Sequence, residues 1–336
     1  MTAQVWVLIG ERTGDNNQAL ALAEALGLPF EIKQLSYNAL QPLSVWLPPT
    51  VLTLTQAARV SLQPPWPNLV ITIGRRSVPV ARWIKRQNVG RTRLVHIGHP
   101  RIDPKSFDLV VTTRQYPVPP GANVVLLPVA MSRHLEPPEP GAAEVKWLAA
   151  VPTPRSLLAI GGATKYWTLP IQRIERVVAD NAPGKSLIVV TSRRTDPALV
   201  ERLREQAAAN PDVRLVDGPS PRFAVLMAAA DEIFVTGDSV SMLSEAVLTG
   251  KPVALIPIEQ DDKGRRSLGP EPRETGPDAR RRDLRRFWNY LIEEGMIGTI
   301  DEGPKRANAI PNPNRIAADA VRRLLVLARS NRDGAR

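Results

Sequence analysis

A chain of 336 residues, 43% of them hydrophobic, has the length for two domains at roughly 100–200 residues each and the apolar content to fill their cores. It holds no cysteine and three histidines (His96, His99 and His134), which excludes disulfides, iron–sulfur clusters, zinc fingers and thiol nucleophiles and makes a histidine metal site unexpected. A formal charge of +11 implies an anionic partner, and with no basic–aromatic module in view nucleic acid is not the expected one.

Residues 4–9 form an apolar run of strand length, followed by the polar stretch Glu11 to Gln18 and a helix over Ala19 to Leu26 that Gly27 and Pro29 stop. Strand, polar loop and helix in this order open a nucleotide-binding-like α/β domain, although the G-x-G-x-x-G spacing is absent. The loop reads either as a site for a hydroxyl-rich ligand, through its Asp, Asn and Gln side chains, or as an ordinary capped turn. A strand over Phe30 to Leu35 leads into a Pro- and Trp-rich connection that includes Trp46 and Trp66. Leu69 to Gly74 repeats the strand-plus-glycine pattern and feeds a helix over Val78 to Gln87. Arg75 and Arg76 stand at that helix's N-terminus, where cations oppose the helix dipole unless an anion sits between them, so they read as anion holders or as a solvated face. Arg93 to Ile97, Phe107 to Thr112 and Val124 to Leu127 continue as strands, and the loops after the first, third and fourth strands are expected on one sheet edge.

Residues 136–154 show little periodicity and read as an interdomain linker. Ser156 to Ile160 restarts the pattern with Gly161-Gly162 at its end. A helix over Leu169 to Asp180, a strand over Ser186 to Val190, a helix over Pro197 to Ala209, a strand over Val213 to Val216 and a helix over Pro221 to Ala229 follow. Next comes DEIFVTGDSVSMLSEAVLTGKPVALIP, residues 231–257: strand, turn, helix, turn, strand. Asp238, Ser239 and Ser241 ring the helix N-terminus, which reads either as a common cap or as an anion site where free N–H groups and the dipole converge. Residues 259–279 are polar and expected to be mobile. RRRDLRRFWNYLIEE, residues 280–294, reads as an amphipathic helix, either packed on its domain or lying on an anionic membrane. A last helix spans Ile316 to Leu327. No run reaches the ~18 apolar residues of a membrane span, and no signal core opens the chain, so the expected location is cytoplasmic, with the inner membrane face open as a contact.

Five pieces carry a family resemblance: Gly14 to Leu20, Gly74 to Pro79, Gly161-Gly162, Gly237 to Ala246, and Arg286-Phe287-Trp288. With the E-A-x-x-x-G-x-P tail of residues 245–252, the chain resembles the GT-B architecture of nucleotide-sugar glycosyltransferases. More narrowly, it resembles the mitochondrial-fission family named for elongated plant mitochondria. The resemblance implies an α/β fold of two doubly wound Rossmann-like domains facing across a cleft: 1–140 on the acceptor side, 151–315 on the donor side, and a C-terminal helix and basic tail over 316–336. It implies a nucleotide-diphosphate sugar as substrate, with no separate cofactor or metal, and an anionic or lipid-linked acceptor. Gly161, Gly162, Lys165, Arg193, Asp238, Ser239 and Ser241 would hold the diphosphate, Glu245 the ribose, and the turn at Asp217-Gly218-Pro219 would border the base. Asp15 would be the general base, with Asn17, Gln18, Arg75 and Arg76 on the acceptor. The family's Lys-Pro-Gly-His-like turn is replaced here by Glu11 to Asp15, which removes a histidine that might have been the base. A nucleotide-sugar epimerase or hydrolase of the same fold, and a non-catalytic adaptor, are the alternatives.

Overall fold

The computed structural model describes residues 4–45, 47–272 and 281–333. The readings that touch Trp46, residues 273–280 and the end of the basic tail lie outside the described residues. The chain divides into two compact units, residues 1–133 with 311–336, and residues 134–310.

The first unit is built on β1 (Val5–Ile9), α1 (Thr13–Leu26), β2 (Phe30–Gln34), α2 (Gln56–Val60), β3 (Leu69–Ile73), α3 (Val78–Gln87), β4 (Arg93–Ile97), β5 (Leu109–Thr112) and β6 (Val124–Leu126). Its six strands are all parallel in the order β2-β1-β3-β4-β5-β6. The period-2 alternation of each strand sends side chains to two cores. Val5, Val7, Ile71, Val95 and Val111 meet Leu22 of α1 on one face, while Trp6, Leu8, Val70, Leu94 and Val110 meet Val80 and Ile84 of α3 on the other. The direction of the chain reverses between β1 and β3, so ligands of an open parallel sheet would enter at the carboxyl ends of those two strands.

The second unit holds α4 (Ala142–Ala149), β7 (Arg155–Ile160), β8 (Trp167–Thr168), α5 (Ile171–Ala179), β9 (Ser186–Thr191), α6 (Pro197–Ala209), β10 (Val213–Val216), α7 (Phe223–Ala229), β11 (Glu232–Thr236), α8 (Val240–Leu248), β12 (Val253–Ile256), β13 (Glu259–Gln260), α9 (Asp262–Leu268), α10 (Arg285–Glu293) and β14 (Gly298–Thr299). Its main sheet is parallel throughout, in the order β10-β9-β7-β11-β12-β14. Here the switch lies between β7 and β11. The C-terminal helix α11 (Pro313–Asp333) returns to the first unit, where Ala317, Ala318 and Val321 join the α1 face of the core. Asn314 clamps it there by exchanging two hydrogen bonds with the Ser132 backbone, at 3.2 and 2.7 Å.

Three expectations are corrected, and of the two readings of the basic amphipathic helix the one packed on its domain holds. The polar stretch 11–18 is mostly helix, since α1 starts at Thr13 with Asp15 in its first turn, where a carboxylate suits the dipole. The supposed linker contains α4, whose Glu144 closes a capping bond to Gly141 N at 2.9 Å. Of the segment expected to be mobile, residues 259–260 pair with β8 and residues 262–268 form α9. The basic amphipathic helix begins at Arg285, and its apolar residues Phe287, Trp288 and Leu291 are buried in the second unit, so that face is not available to a membrane.

Candidate functional site

In the second unit β7 and β11 pair side by side and deliver their following turns to one place. Gly161 and Gly162 leave β7; Gly237, Asp238 and Ser239 leave β11. The Asp238 side chain is completely buried, and it accepts from Thr236 Oγ1 at 2.7 Å, from Gly162 N at 3.0 Å and from Arg194 Nη2 at 2.7 Å. Arg194 also reaches the Gly162 carbonyl at 3.3 Å, while half of its side chain stays in solvent. Gly161 N donates to Thr236 Oγ1 at 2.9 Å, and its carbonyl accepts from Thr195 Oγ1 at 2.6 Å. The result is a socket in which one buried carboxylate ties three strand exits, and a partly exposed guanidinium neutralises it.

This corrects one sequence expectation. The Gly-Gly amides are spent on Thr236 and Asp238 and are not left free for a phosphate. The glycines are needed for a different close approach: a Cβ at Gly161 would run into the Asp238 carboxylate, and one at Gly162 into the Arg194 backbone carbonyl. Arg194 is a cation anchored here, and Arg193 and Lys165 are exposed, with Lys165 Nζ 4.9 Å from the Tyr166 ring centre. Ser239 Oγ is the N-cap of α8 and accepts from Met242 N at 3.3 Å. Ser241 and Glu245 follow on the helix, both half-buried. The Asp217 turn follows edge strand β10, with β9 between it and β7 on the same parallel sheet, and Asp217 pairs with Arg204.

Behind the socket stands α10. Trp288 Nε1 donates to the Gly237 carbonyl at 3.0 Å, and a Cβ at Gly237 would lie 2.7 Å from the indole. Trp167 meets Trp288 edge-on at 5.4 Å between ring centres, and Arg285 lies 5.5 Å over Trp167 while pairing with the buried Asp283 at 2.7 Å.

In the first unit the β1 and β3 exits are also adjacent. Gly10 exchanges two hydrogen bonds with the Asn16 side chain, at 2.9 and 2.8 Å, which fixes the turn into α1. Asp15 is half-buried and points toward the other exit, its Oδ2 lying 4.0 Å from where a Gly74 Cβ would stand. Asn17 and Gln18 are half-buried on the same helix, and Gln18 makes a long bond back to the Gly14 carbonyl at 3.5 Å. Arg75 is exposed. Arg76 is engaged, 3.7 Å from Glu11 and, with the Gln41 amide oriented oxygen-first, 3.0 Å from that oxygen through Nε. Beside it burial raises the Tyr37 phenol pKa, an effect the Arg76 charge opposes. After β4, Gly98 and Arg101 both take positive φ (86° and 66°), and Arg101 N donates to His99 Nδ1 at 2.8 Å. The loops after β1, β3 and β4 thus share one sheet edge, as the strand pattern requires.

Sequence reasoning missed Arg194, Thr195 and Thr236, which carry the socket; the signal was their place at strand ends next to glycines. Among the described residues no three His, Asp or Glu side chains gather as a metal site, and no helix is long and apolar enough to cross a membrane.

Known proteins resemble the chain in two ways. Among solved structures, the UDP-GlcNAc 2-epimerase of Methanocaldococcus jannaschii superposes with a TM-score of 0.55 at 11% identity, covering 96% of this chain and 99% of that one. That enzyme in complex with UDP-GlcNAc and UDP gives 0.52 at 12%, again over 96% and 99%. S. aureus MnaA with UDP gives 0.53 at 11%, over 94% of each chain. At such identities what is shared is the fold, α/β with two doubly wound units in the GT-B manner. In sequence, the mitochondrial fission protein ELM1 of Arabidopsis thaliana is 29% identical over 234 residues, 60% of this chain and 54% of that protein, so the match spans about half the length of that relative. The family described as "Mitochondrial fission ELM1" matches residues 13–324. The chain belongs to the mitochondrial fission ELM1 family.

Proposed function

We propose that this protein is a metal-independent glycosyltransferase that takes a nucleotide-diphosphate sugar in its second unit and transfers the sugar to an anionic or lipid-linked cell-envelope acceptor. The observation that carries the reading is the second unit's switch point, where the capped N-terminus of α8 opens beside a half-exposed Arg194 that Asp238 holds in place. Ligands of doubly wound sheets sit outside the strand ends at that point, and solved relatives of the same fold are described with UDP-GlcNAc and UDP.

In this reading the bond from the sugar's anomeric carbon to the diphosphate breaks, and the leaving charge is met by the first-turn amides of α8 and the Arg194 guanidinium. Lys165 and Arg193, both exposed, add positive charge at the rim. Glu245, six residues beyond the cap and about 9 Å along the axis, accepts from the ribose hydroxyls. The acceptor hydroxyl loses its proton to Asp15 as its oxygen bonds the anomeric carbon. Arg75, Asn17 and Gln18 orient that acceptor, and Arg76 acts at one remove through Glu11 and Gln41.

Calorimetric titration with nucleoside diphosphates and nucleotide sugars tests this. Binding of at least one is expected, weakened about tenfold or more by Glu245→Ala, which deletes hydrogen bonds to a charged acceptor. Binding of none, or a Glu245→Ala variant that binds like the parent, overturns it. The epimerase relatives favour a second reading, an epimerase or hydrolase of the nucleotide sugar. Incubation with donor alone separates the two: epimerised or freed sugar without acceptor supports the second. The name of the plant relative supports a non-catalytic adaptor, which predicts full function after Asp15 and Glu245 are both replaced by alanine.

A further inference from the structure

The apolar face of α10 is committed to its own core, so the chain's basic excess has to find its surface elsewhere. From residue 32 to residue 102 the sequence carries ten lysines and arginines and not one aspartate or glutamate. That span runs from β2 through α2, β3, α3 and β4, one side of the first unit's sheet with the helices over it. Lys33, Arg76, Lys85 and Arg93 find carboxylates, all borrowed from outside the span: Glu31, Glu11 and Asp108. Among the described residues Arg59, Arg75, Arg82, Arg86 and Arg91 face none.

The same span holds three leucines out in solvent: Leu40 is 46% exposed, Leu43 50% and Leu52 54%. A single exposed leucine is unremarkable, but a group on one braced platform is not. In residues 37–44 and 50–54 the Asn38 side chain braces the backbone while Leu40, Leu43 and Leu52 face solvent and Leu54 is buried. Asn38 Nδ2 donates to the Leu52 and Leu54 carbonyls at 2.8 and 3.0 Å, while its Oδ1 accepts from Leu40 N at 2.9 Å. Leu43 N bonds back to the Leu40 carbonyl at 3.0 Å, and Thr50 N reaches Pro79 on α3 at 3.2 Å. The backbones of the three leucines are therefore tied together through Asn38 and the Leu40–Leu43 turn. Cations flank them: Arg59 Nη2 is 2.7 Å from the Leu52 carbonyl, Arg76 touches Gln41, and Arg82 stands one turn beyond Pro79.

We infer that the platform of residues 37–44 and 50–54 docks on an anionic phospholipid bilayer, with Leu40, Leu43 and Leu52 entering the headgroup–acyl boundary and the surrounding arginines meeting the headgroups. A protein partner or a second copy would also cover leucines, but protein surfaces present both signs of charge, and such a partner gives no reason for a long acid-free span. A leaflet of anionic lipid presents one sign only. The inference does not depend on the glycosyltransferase reading, and its test needs no nucleotide.

The test is flotation of the full chain with vesicles of zwitterionic phospholipid, alone or with about a third anionic phospholipid. Binding to the anionic vesicles only, reversed by high salt, is expected. The triple variant Leu40→Ser, Leu43→Ser, Leu52→Ser should lose at least about tenfold in partitioning with an unchanged unfolding midpoint, since the three side chains are exposed. Arg82→Glu with Arg86→Glu, which reverses two of the flanking charges, should lose several-fold. No partition into anionic vesicles, or a triple variant that floats like the parent, overturns the proposal. So does a dimer in sedimentation analysis that the triple variant dissociates, which would make the occupant a second copy.

Discussion

Both units leave their first strand through glycine, and they use it in opposite ways. After β1, among the described residues, Gly10 has no heavy atom within 4 Å of where a Cβ would stand, and the Asn16 and Gln34 side chains hold its backbone. After β7, Gly161 and Gly162 are crowded by Asp238 and Arg194, and every hydrogen-bonding group of their two peptides except solvent-facing lone pairs is taken by Thr236, Thr195, Asp238 or Arg194. One exit leaves open space beside its glycine; the other is closed on itself and charge-balanced before any ligand arrives. A preorganised socket suits a fixed chemical group, because nothing has to reorganise when charge develops beside it. An open exit suits a ligand of variable shape.

The contrast is broken most directly at Gly162. A methyl group there meets the Arg194 main-chain carbonyl, which cannot rotate aside, so Gly162→Ala should cost about 3 kcal/mol or more of stability, read from the urea midpoint. Asp238→Ala follows at about 3 kcal/mol, since it strands Thr236, the Gly162 amide and one guanidinium at once. Arg194 regains water through its exposed half, which holds the loss below that of a fully buried pair. If both variants unfold like the parent, the socket is not rigid and the comparison fails. Trp288→Phe should cost about 2 kcal/mol, through the lost bond to the Gly237 carbonyl and the space left behind the socket.

The sequence made the repeating βα order legible because fully buried parallel strands are continuous apolar runs and their helices keep a helical period. Pro197–Ala209, Val213–Val216 and Val78–Gln87 stand where the pattern puts them. What escaped it depends on partners distant in the chain. The α4 segment reads as a linker because its order comes from Glu144, whose carboxylate accepts from Arg222 N at 2.9 Å, 78 residues on. The early start of α1 was hidden by Gly14 and the Asn pair, poor helix formers until Asn16 closes the turn onto Gly10. At the site, Gly161, Gly162 and Asp238 were legible as a group, but their job was not. Spacing shows that glycine permits a close approach and leaves open whether a phosphate or the protein's own carboxylate makes it. For the same reason Arg193 and Arg194 cannot be told apart without the geometry of the turn.

Each unit also buries a titratable side chain near its strand ends, and here too they differ. Asp238 is fully partnered, whereas His96 on β4 is completely buried against Phe107, 4.9 Å between ring centres, and among the described residues neither nitrogen makes a hydrogen bond of good geometry. Burial pushes its pKa down to about 3, with the nearby His99 adding to the effect. A histidine released by unfolding returns to about 6.5. Between those values the unfolded chain binds the extra proton, so stability is complete above about pH 6.5 and falls as pH drops toward 3. His96→Leu should remove about 2 kcal/mol of the loss between pH 7 and pH 5, measured as the difference in urea midpoints. A variant with the parent's pH slope would show that His96 is not the group that titrates.

The smallest expected effect tests the open side. Gly10 takes no positive φ and has free space where a Cβ would stand, so Gly10→Ala should change stability by no more than about 0.5 kcal/mol. The added methyl also narrows the backbone's freedom in the unfolded chain, which offsets any slight crowding in the folded one. The same substitution at the same topological position of the second unit, Gly161→Ala, drives a methyl into the Asp238 carboxylate and should unfold at markedly lower urea. Measured side by side, the pair isolates what surrounds the first-strand exit from the chemistry of removing glycine. Equal costs at the two positions would mean that the β1 exit is as closed as the β7 exit, and that the first unit has no more room for a variable ligand than the second.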